Sequence, residues 1–126
     1  MFCIESILNT LQESYLALVR FLLPEGMLNY FELSKIVEAI PGLHIYLEEK
    51  NVPPTEYKDQ KLESKGFLPE IYIQDFPIRN QRVTLCIKGR RWEIKDTGAI
   101  VNRDWNIVQQ GTRMTKEFAD FLKGLY

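Results

Sequence analysis

The chain has 126 residues, 45% of them hydrophobic, which predicts a packed core and excludes wholesale disorder. Two distant cysteines, Cys3 and Cys86, and the single His44 exclude a disulfide scaffold and a four-ligand zinc site, and they suit a reducing cytoplasm. The net charge of −1 divides into −6 over residues 1–75 (6 Lys and Arg against 12 Asp and Glu) and +5 over residues 76–126 (10 against 5), which indicates an acidic body with a basic interacting part.

The N-terminal segment is predicted to be a helix over residues 4–22, ended by Pro24 and Gly26. Its apolar residues recur at steps of three and four and therefore share one stripe. The stripe covers either the sheet of the same chain or another copy of the helix, and core packing is the expected use. The stripe consists of Ile4, Ile7, Leu8, Leu11, Tyr15, Leu18, Val19 and Leu22.

A hairpin over residues 30–50 is predicted next. Pro41-Gly42 is a strong turn signal, and Leu43, Ile45 and Leu47 alternate with polar residues after it. A hairpin is therefore favoured over a helix followed by a strand, with Ile40 partly exposed beside the turn.

The following residues, 51–66, carry Pro53-Pro54 and dense charge, which predicts a long loop. Further strands are predicted within residues 67–102, where apolar and polar residues alternate, with a hairpin turn at Asp96-Thr97-Gly98. A C-terminal helix is predicted over residues 115–125, with Thr115 as its N-cap.

These elements predict an α+β fold, an antiparallel twisted β module with one helix at each end. The chain is expected to form a single domain, 1–126, with an N-terminal helical arm over 1–23, the β module over 27–110 and a C-terminal helical part over 112–126. No apolar run is long enough to cross a bilayer and the first residues lack a basic secretory region, so a cytoplasmic protein without membrane contact is expected.

The residues of enzyme chemistry are missing from the pattern. There is no Gly-rich phosphate loop, and no Ser or Cys has a second imidazole near it, because His44 is the only histidine. His44 is expected to be an exposed strand residue and Cys86 a half-buried apolar one. The carboxylates in or near predicted turns are expected to act in turns and helix caps and not in a metal site. They are Asp75, Asp96, Asp104 and Glu117. We therefore expect no enzyme activity, no cofactor and no structural metal.

The basic residues of the second half form the most specific pattern. Nine Lys and Arg lie between Arg79 and Lys116 against three acids, a sum of +6. Arginine suits phosphate recognition because its planar fork donates two parallel hydrogen bonds. On a strand, Trp92 and Arg90 share the core face, so Arg91 on the other face is the better phosphate ligand. The alternative is that Arg90 and Arg91 stack on aromatic rings or pair with acids. The candidate DNA-binding residues are Arg79, Arg82, Lys88, Arg90, Arg91, Arg103 and Arg113.

Several stretches carry a resemblance to a known group of proteins. Ser64-Lys-Gly-Phe67, Gln74-Asp-Phe-Pro-Ile-Arg79 and Lys88-Gly-Arg-Arg-Trp92 occur in this order, followed by Arg103-Asp-Trp105 and Gly111-Thr-Arg-Met-Thr115. Together they resemble the N-terminal region of a group of bacterial insertion-sequence transposases. The resemblance covers roughly residues 22–123.

In distant members of that group a zinc ribbon, a helix-turn-helix and an RNase H-like domain with a DDE triad follow the hairpin. The corresponding zones here, 52–56 and 92–96, hold no cysteine. The resemblance therefore implies a ribbon-like β module without metal, which binds the double-stranded DNA of the transposon ends, while a separate DDE-type transposase polypeptide supplies catalysis. The alternatives are an interaction module that docks the catalytic subunit or forms a homodimer, and an inactive relic.

Overall fold

The computed structural model describes residues 4–40, 42–103 and 114–124, and of residues 119 and 121 it describes the backbone alone. An N-terminal helix, two sheets of mostly antiparallel strands and a short C-terminal helix confirm the α+β class. The helices are α1 (Ile4–Leu22), α2 (Met27–Tyr30) and α3 (Lys116–Lys123). The strands are β1 (Phe31–Ala39), β2 (Gly42–Glu49), β3 (Leu62–Phe67), β4 (Ile71–Ile78), β5 (Gln81–Lys88), β6 (Arg90–Ile94) and β7 (Ile100–Asn102).

The four-stranded sheet has the order β1-β2-β5-β4. The pairs β1–β2 and β4–β5 are antiparallel hairpins, and the first confirms the hairpin predicted over 30–50. The central pair, β2 with β5, is parallel, which differs from an all-antiparallel module. Parallel pairing places the turns of both hairpins at the same end of the sheet, and we call this the hairpin end.

The three-stranded sheet has the order β3-β6-β7 and is antiparallel throughout. Its first strand, Leu62–Phe67, corrects the loop predicted over 51–66, of which only the earlier part lacks strand structure. Charged residues on the exposed face of β3 conceal its alternation in the sequence, while Ser64 lies opposite the buried Trp92. The predicted turn at 96–98 is confirmed, with Gly98 at φ 73°.

The hydrophobic core lies on one face of the four-stranded sheet, between that face and the segment that joins α1 to β1. Helix α1 has no buried residue, and only Val19, near its end, packs against the core. The expectation that the α1 stripe packs in the core is therefore wrong. Among the described residues, the helix contacts the body through its last turns. The core consists of Leu23, Met27, Phe31, Ile45, Leu47, Ile73, Val83, Leu85 and Ile87.

No helix among the described residues is long and apolar enough to span a membrane.

Near the C-terminal end of the chain, Thr115 caps α3 as predicted, because its hydroxyl accepts a hydrogen bond from the Phe118 amide at 3.3 Å. The same hydroxyl donates to Asp75 on β4 at 2.8 Å, and the Phe118 ring lies 5.3 Å from that of Phe76. Helix α3 is thereby fixed to the outer strand of the four-stranded sheet.

Gly42 permits the close approach of β2 and β5. A Cβ atom at this position would lie 2.2 Å from the carbonyl oxygen of Arg82. We expect Gly42→Ala to lower the free energy of unfolding by about 3 kcal/mol, the upper part of the range for overpacking, because the opposing atom is backbone. Gly98→Ala is the matched control. It meets open space and should cost only about 1–2 kcal/mol through its positive φ. Urea denaturation of both variants measures the difference, and equal losses would contradict the close approach.

Candidate nucleic-acid interface

Glu49, at the end of β2, joins the two sheets. Its side chain is 2% exposed, and its carboxylate accepts hydrogen bonds from the Arg90 amide at 2.9 Å and from Nε of Arg103 at 3.2 Å. The Glu49 carbonyl also accepts from Nε of Arg90 at 3.1 Å. A buried carboxylate needs such partners, because desolvation strongly disfavours an unpaired charge. The cationic groups around Glu49 therefore belong to the structure of the fold.

Arg90 and Arg103 both make further contacts within the fold. Arg90 also donates to the Ser64 hydroxyl at 2.6 Å, and its guanidinium lies 4.6 Å from the centre of the Phe67 ring. Arg103 also donates to the carbonyl of Val52 and lies over the ring of Tyr30. These contacts give both arginines a structural role, and their DNA binding stays a prediction. The stacking alternative holds for Arg90, whose guanidinium lies over the Phe67 ring.

Trp92 and Arg91 lie on opposite faces of β6, as predicted. Trp92 is fully buried, and its indole N–H donates to Asn51 at 2.9 Å, so it belongs to the core. Arg91 is exposed, and one of its terminal nitrogens donates to the carbonyl of Lys65 at 3.2 Å. The face around it is rich in ion pairs, including Lys65 with Glu93 at 3.2 Å.

The remaining acid of this face, Glu63, bonds Lys95 and lies near Lys65. A hydrogen bond from Lys95 and the positive charge of Lys65 lower the pKa of the Glu63 carboxyl, so it is charged at neutral pH. The acids of the three-stranded sheet thus compensate much of its positive charge. Arg91 is accessible there, in a nearly balanced electrostatic environment.

Arg79 and Arg82 occupy the hairpin end. Arg79 and Asn80 form the two-residue turn between β4 and β5, with φ of 51° and 63°. Both arginines are exposed, and among the described residues neither has an ion pair or a side-chain hydrogen bond. Ile40, 93% exposed beside the β1–β2 turn, lines the same shallow groove as Arg79. Glu38 is the acid of this groove.

Lys88 lies at the opposite end of β5, half-buried and about 20 Å from Arg82 at ordinary strand rise. The face of the four-stranded sheet opposite the core also carries Lys35 and Tyr46, which the β1–β2 register places side by side. The sequence analysis did not propose these two residues as part of the interface. The Lys35 ammonium lies 4.6 Å from the Tyr46 ring. No local signal indicates this pair, because a bulge between Leu33 and Lys35 shifts the register.

Cys86 and His44 both differ in burial from their predicted positions. Cys86 is fully buried rather than half-buried, and desolvation raises the pKa of its thiol, so it stays protonated at neutral pH. His44 is half-buried, which corrects the exposed position predicted for it. Across the described ranges, no three His, Cys, Asp or Glu side chains are grouped to hold a metal ion. Arg113 and Trp105 lie outside the described residues.

The chain matches no family model, no curated protein and no solved structure. The candidate interface consists of three exposed cations and the half-buried Lys88, all proposed from sequence. They are Arg79, Arg82, Lys88 and Arg91.

Removal of the Glu49 charge tests the structural role of this network. Glu49→Gln keeps the shape of the side chain but removes the negative charge that bonds Nε of Arg103, whose side chain is 16% exposed. We expect the free energy of unfolding to fall by about 3–5 kcal/mol, as when one member of a buried ion pair is removed. Glu48→Gln is the matched control, half-buried on the other face of β2, and should change stability by about 0.5 kcal/mol or less. Chemical denaturation distinguishes the two, and a stable Glu49→Gln variant would refute the role.

Proposed function

We propose that this chain is the DNA-binding N-terminal part of an insertion-sequence transposase that recognises the ends of the element and acts with a separate catalytic polypeptide. The observation that carries the proposal is the hairpin end. It presents Arg79 and Arg82 to solvent, with no ion pair among the described residues. Arg79 is also held at positive φ, a conformation that costs an L-residue about 1–2 kcal/mol. Glycine or asparagine is the usual residue there.

An arginine at a strained hairpin position is consistent with selection for its side chain, because the backbone alone would favour glycine. Two exposed guanidiniums, one in the turn and one at the start of β5, suit bidentate contacts with successive phosphates. Ile40 adds an exposed apolar side chain at the same tip, of the kind that proteins place against base steps or sugar edges in a groove. The sequence stretches that resemble the transposase group, which occur in the same order along the chain, support the same function.

A second candidate function is docking of the catalytic polypeptide without DNA contact. The exposed apolar residues of α1 favour it, since a monomer seldom leaves a contiguous apolar patch of this size uncovered. The two functions occupy different surfaces of the chain, α1 for docking and the hairpin end for DNA. Salt dependence separates them, because phosphate contacts release counterions and apolar contacts do not.

Duplex DNA binding by the full chain should therefore weaken steeply as salt rises. Four accessible cations predict a log–log slope of about −4 per bound chain, at about 0.9 per phosphate neutralised. Fluorescence anisotropy with short duplexes of random sequence and of the element end, over a range of salt concentrations, measures it. Absence of binding to both duplexes at low salt would contradict the proposed function.

The turn between β4 and β5 offers a pair of matched variants. Arg79→Gly removes one cation and relieves a positive φ, so we expect unfolding stability to stay equal or rise by up to about 1 kcal/mol. DNA affinity should fall, with the salt slope reduced by about one unit. Asn80→Gly also relieves a positive φ but removes no charge, and should leave the salt slope unchanged.

Thermal melts and anisotropy titrations of these two variants give the comparison directly. The expected result is equal or higher stability in both variants and a loss of affinity in Arg79→Gly alone. If Arg79→Gly binds DNA with the original affinity and slope, the hairpin end is not the interface.

A further inference from the structure

We propose that α1 is a dimerisation helix, which pairs with α1 of a second copy of this chain as an antiparallel coiled coil. The first observation is spacing. Six of its large apolar residues follow one another at steps of 4, 3, 4, 3 and 4, the heptad spacing of a coiled-coil seam. We call these six residues the seam. They are Ile4, Leu8, Leu11, Tyr15, Leu18 and Leu22.

The second observation is exposure. Every seam residue is between 42% and 73% exposed, although α1 is a continuous helix of 19 residues. The part of the body that the structure describes does not cover the seam, because other residues of α1 face it. Val19 packs against the core, and Leu16 and Arg20 line a groove shared with Phe31. At 100° per residue these positions lie roughly 60–160° around the helix from the seam.

The area available suits a stable dimer. The exposed surface of the six seam side chains is on the order of 700 Å² per copy, close to the roughly 800 Å² per partner of a standard interface. Burial of such a patch against an equal one also removes an apolar surface larger than soluble monomers usually expose. A second copy supplies the same area by symmetry, which a two-fold interface requires.

Residue numbers favour the antiparallel arrangement. When two helices are aligned about residue 13, each seam residue meets a different seam residue of the second copy, such as Leu8 with Leu18 and Leu11 with Tyr15. The alignment also brings Ile7 beside Phe21 of the second copy, two flanking residues that are 50% and 89% exposed. Phe21 also lines a groove with Leu23 and Leu28 of its own chain, and the pairing adds a contact for its exposed surface.

The charges at the two ends of α1 and the position of the body also favour antiparallel pairing. Glu5 lies in the first turn of α1 and Arg20 in the last, so antiparallel pairing places unlike helix ends together. The body is attached at the C-terminal end of α1 alone. In an antiparallel pair about 28 Å long the two attachment points lie at opposite ends, which separates the bodies along the axis.

The test is the mass of the full chain in DNA-free solution, so it does not depend on the proposed DNA binding. Light scattering and sedimentation at tens of micromolar should give twice the chain mass, also at high salt. Leu11→Glu should yield a monomer, with dimer affinity lowered roughly 100-fold or more because two carboxylates would be buried in the seam. Ala17→Glu, an exposed position on the far side of α1, adds the same charge and should remain dimeric.

Leu11→Glu should leave the body folded, because Leu11 is exposed and lies outside the core, and near-UV circular dichroism checks this. A monomeric full chain would overturn the proposal. So would a Leu11→Glu variant that stays dimeric, since the interface would then lie elsewhere, or an Ala17→Glu variant that dissociates equally.

Spin labels test the direction of pairing, in a Cys3→Ser background so that the new cysteine carries the label. In an antiparallel pair aligned about residue 13, labels at Glu13 are near each other, whereas labels at Ser6 are separated by about 20 Å more along the axis. In a parallel pair both positions give similar distances. Similar distances at the two positions would overturn the antiparallel arrangement.

Discussion

The buried Glu49 carboxylate is the interaction on which the two-sheet architecture depends. It lies at the end of a strand of one sheet and accepts hydrogen bonds from the first residue of β6 and from Arg103, which follows β7 of the other. Desolvation of a carboxylate is costly, so this arrangement is stable only with its donors in place. The network therefore specifies how the sheets join. It also binds Arg90 and Arg103, which the sequence alone indicates as candidates for DNA contact.

Periodicity predicted the features that depend on near neighbours. The turn at 41–42 and the alternation after it predict the first hairpin, and a strand period of two separates Trp92 from Arg91. Thr115 as an N-cap is also a local signal. Features set by distant contacts escaped prediction. The face of Arg90 was predicted correctly, but its binding to Glu49 spans 41 residues and has no sequence signature. The parallel pairing of β2 with β5 is non-local for the same reason.

The α1 helix shows how one pattern supports two structures. Steps of three and four place residues on one face, whether that face meets a sheet or another helix. Strict 3.5-residue spacing gives a narrow seam, while a core-facing helix usually has a broader apolar face. The distinguishing fact is which residues approach the body, and these are Leu16, Val19 and Arg20 beside the seam. That geometry follows from the connection through Leu23 and α2, which the helix sequence does not contain.

Stability, the proposed DNA contact and the proposed self-association are assigned to separate residues. Glu49 and its arginines hold the sheets together, the hairpin end carries the unpaired Arg79 and Arg82, and the seam lies on α1. Groups that share no partners usually act additively, so a change in one should alter its own property and leave the others nearly intact. A dimer would also double the number of hairpin ends. Two weak, salt-sensitive contacts on one duplex would then reinforce each other through effective concentration, provided that the DNA reaches both. Modest charge per chain is therefore compatible with firm binding by the pair.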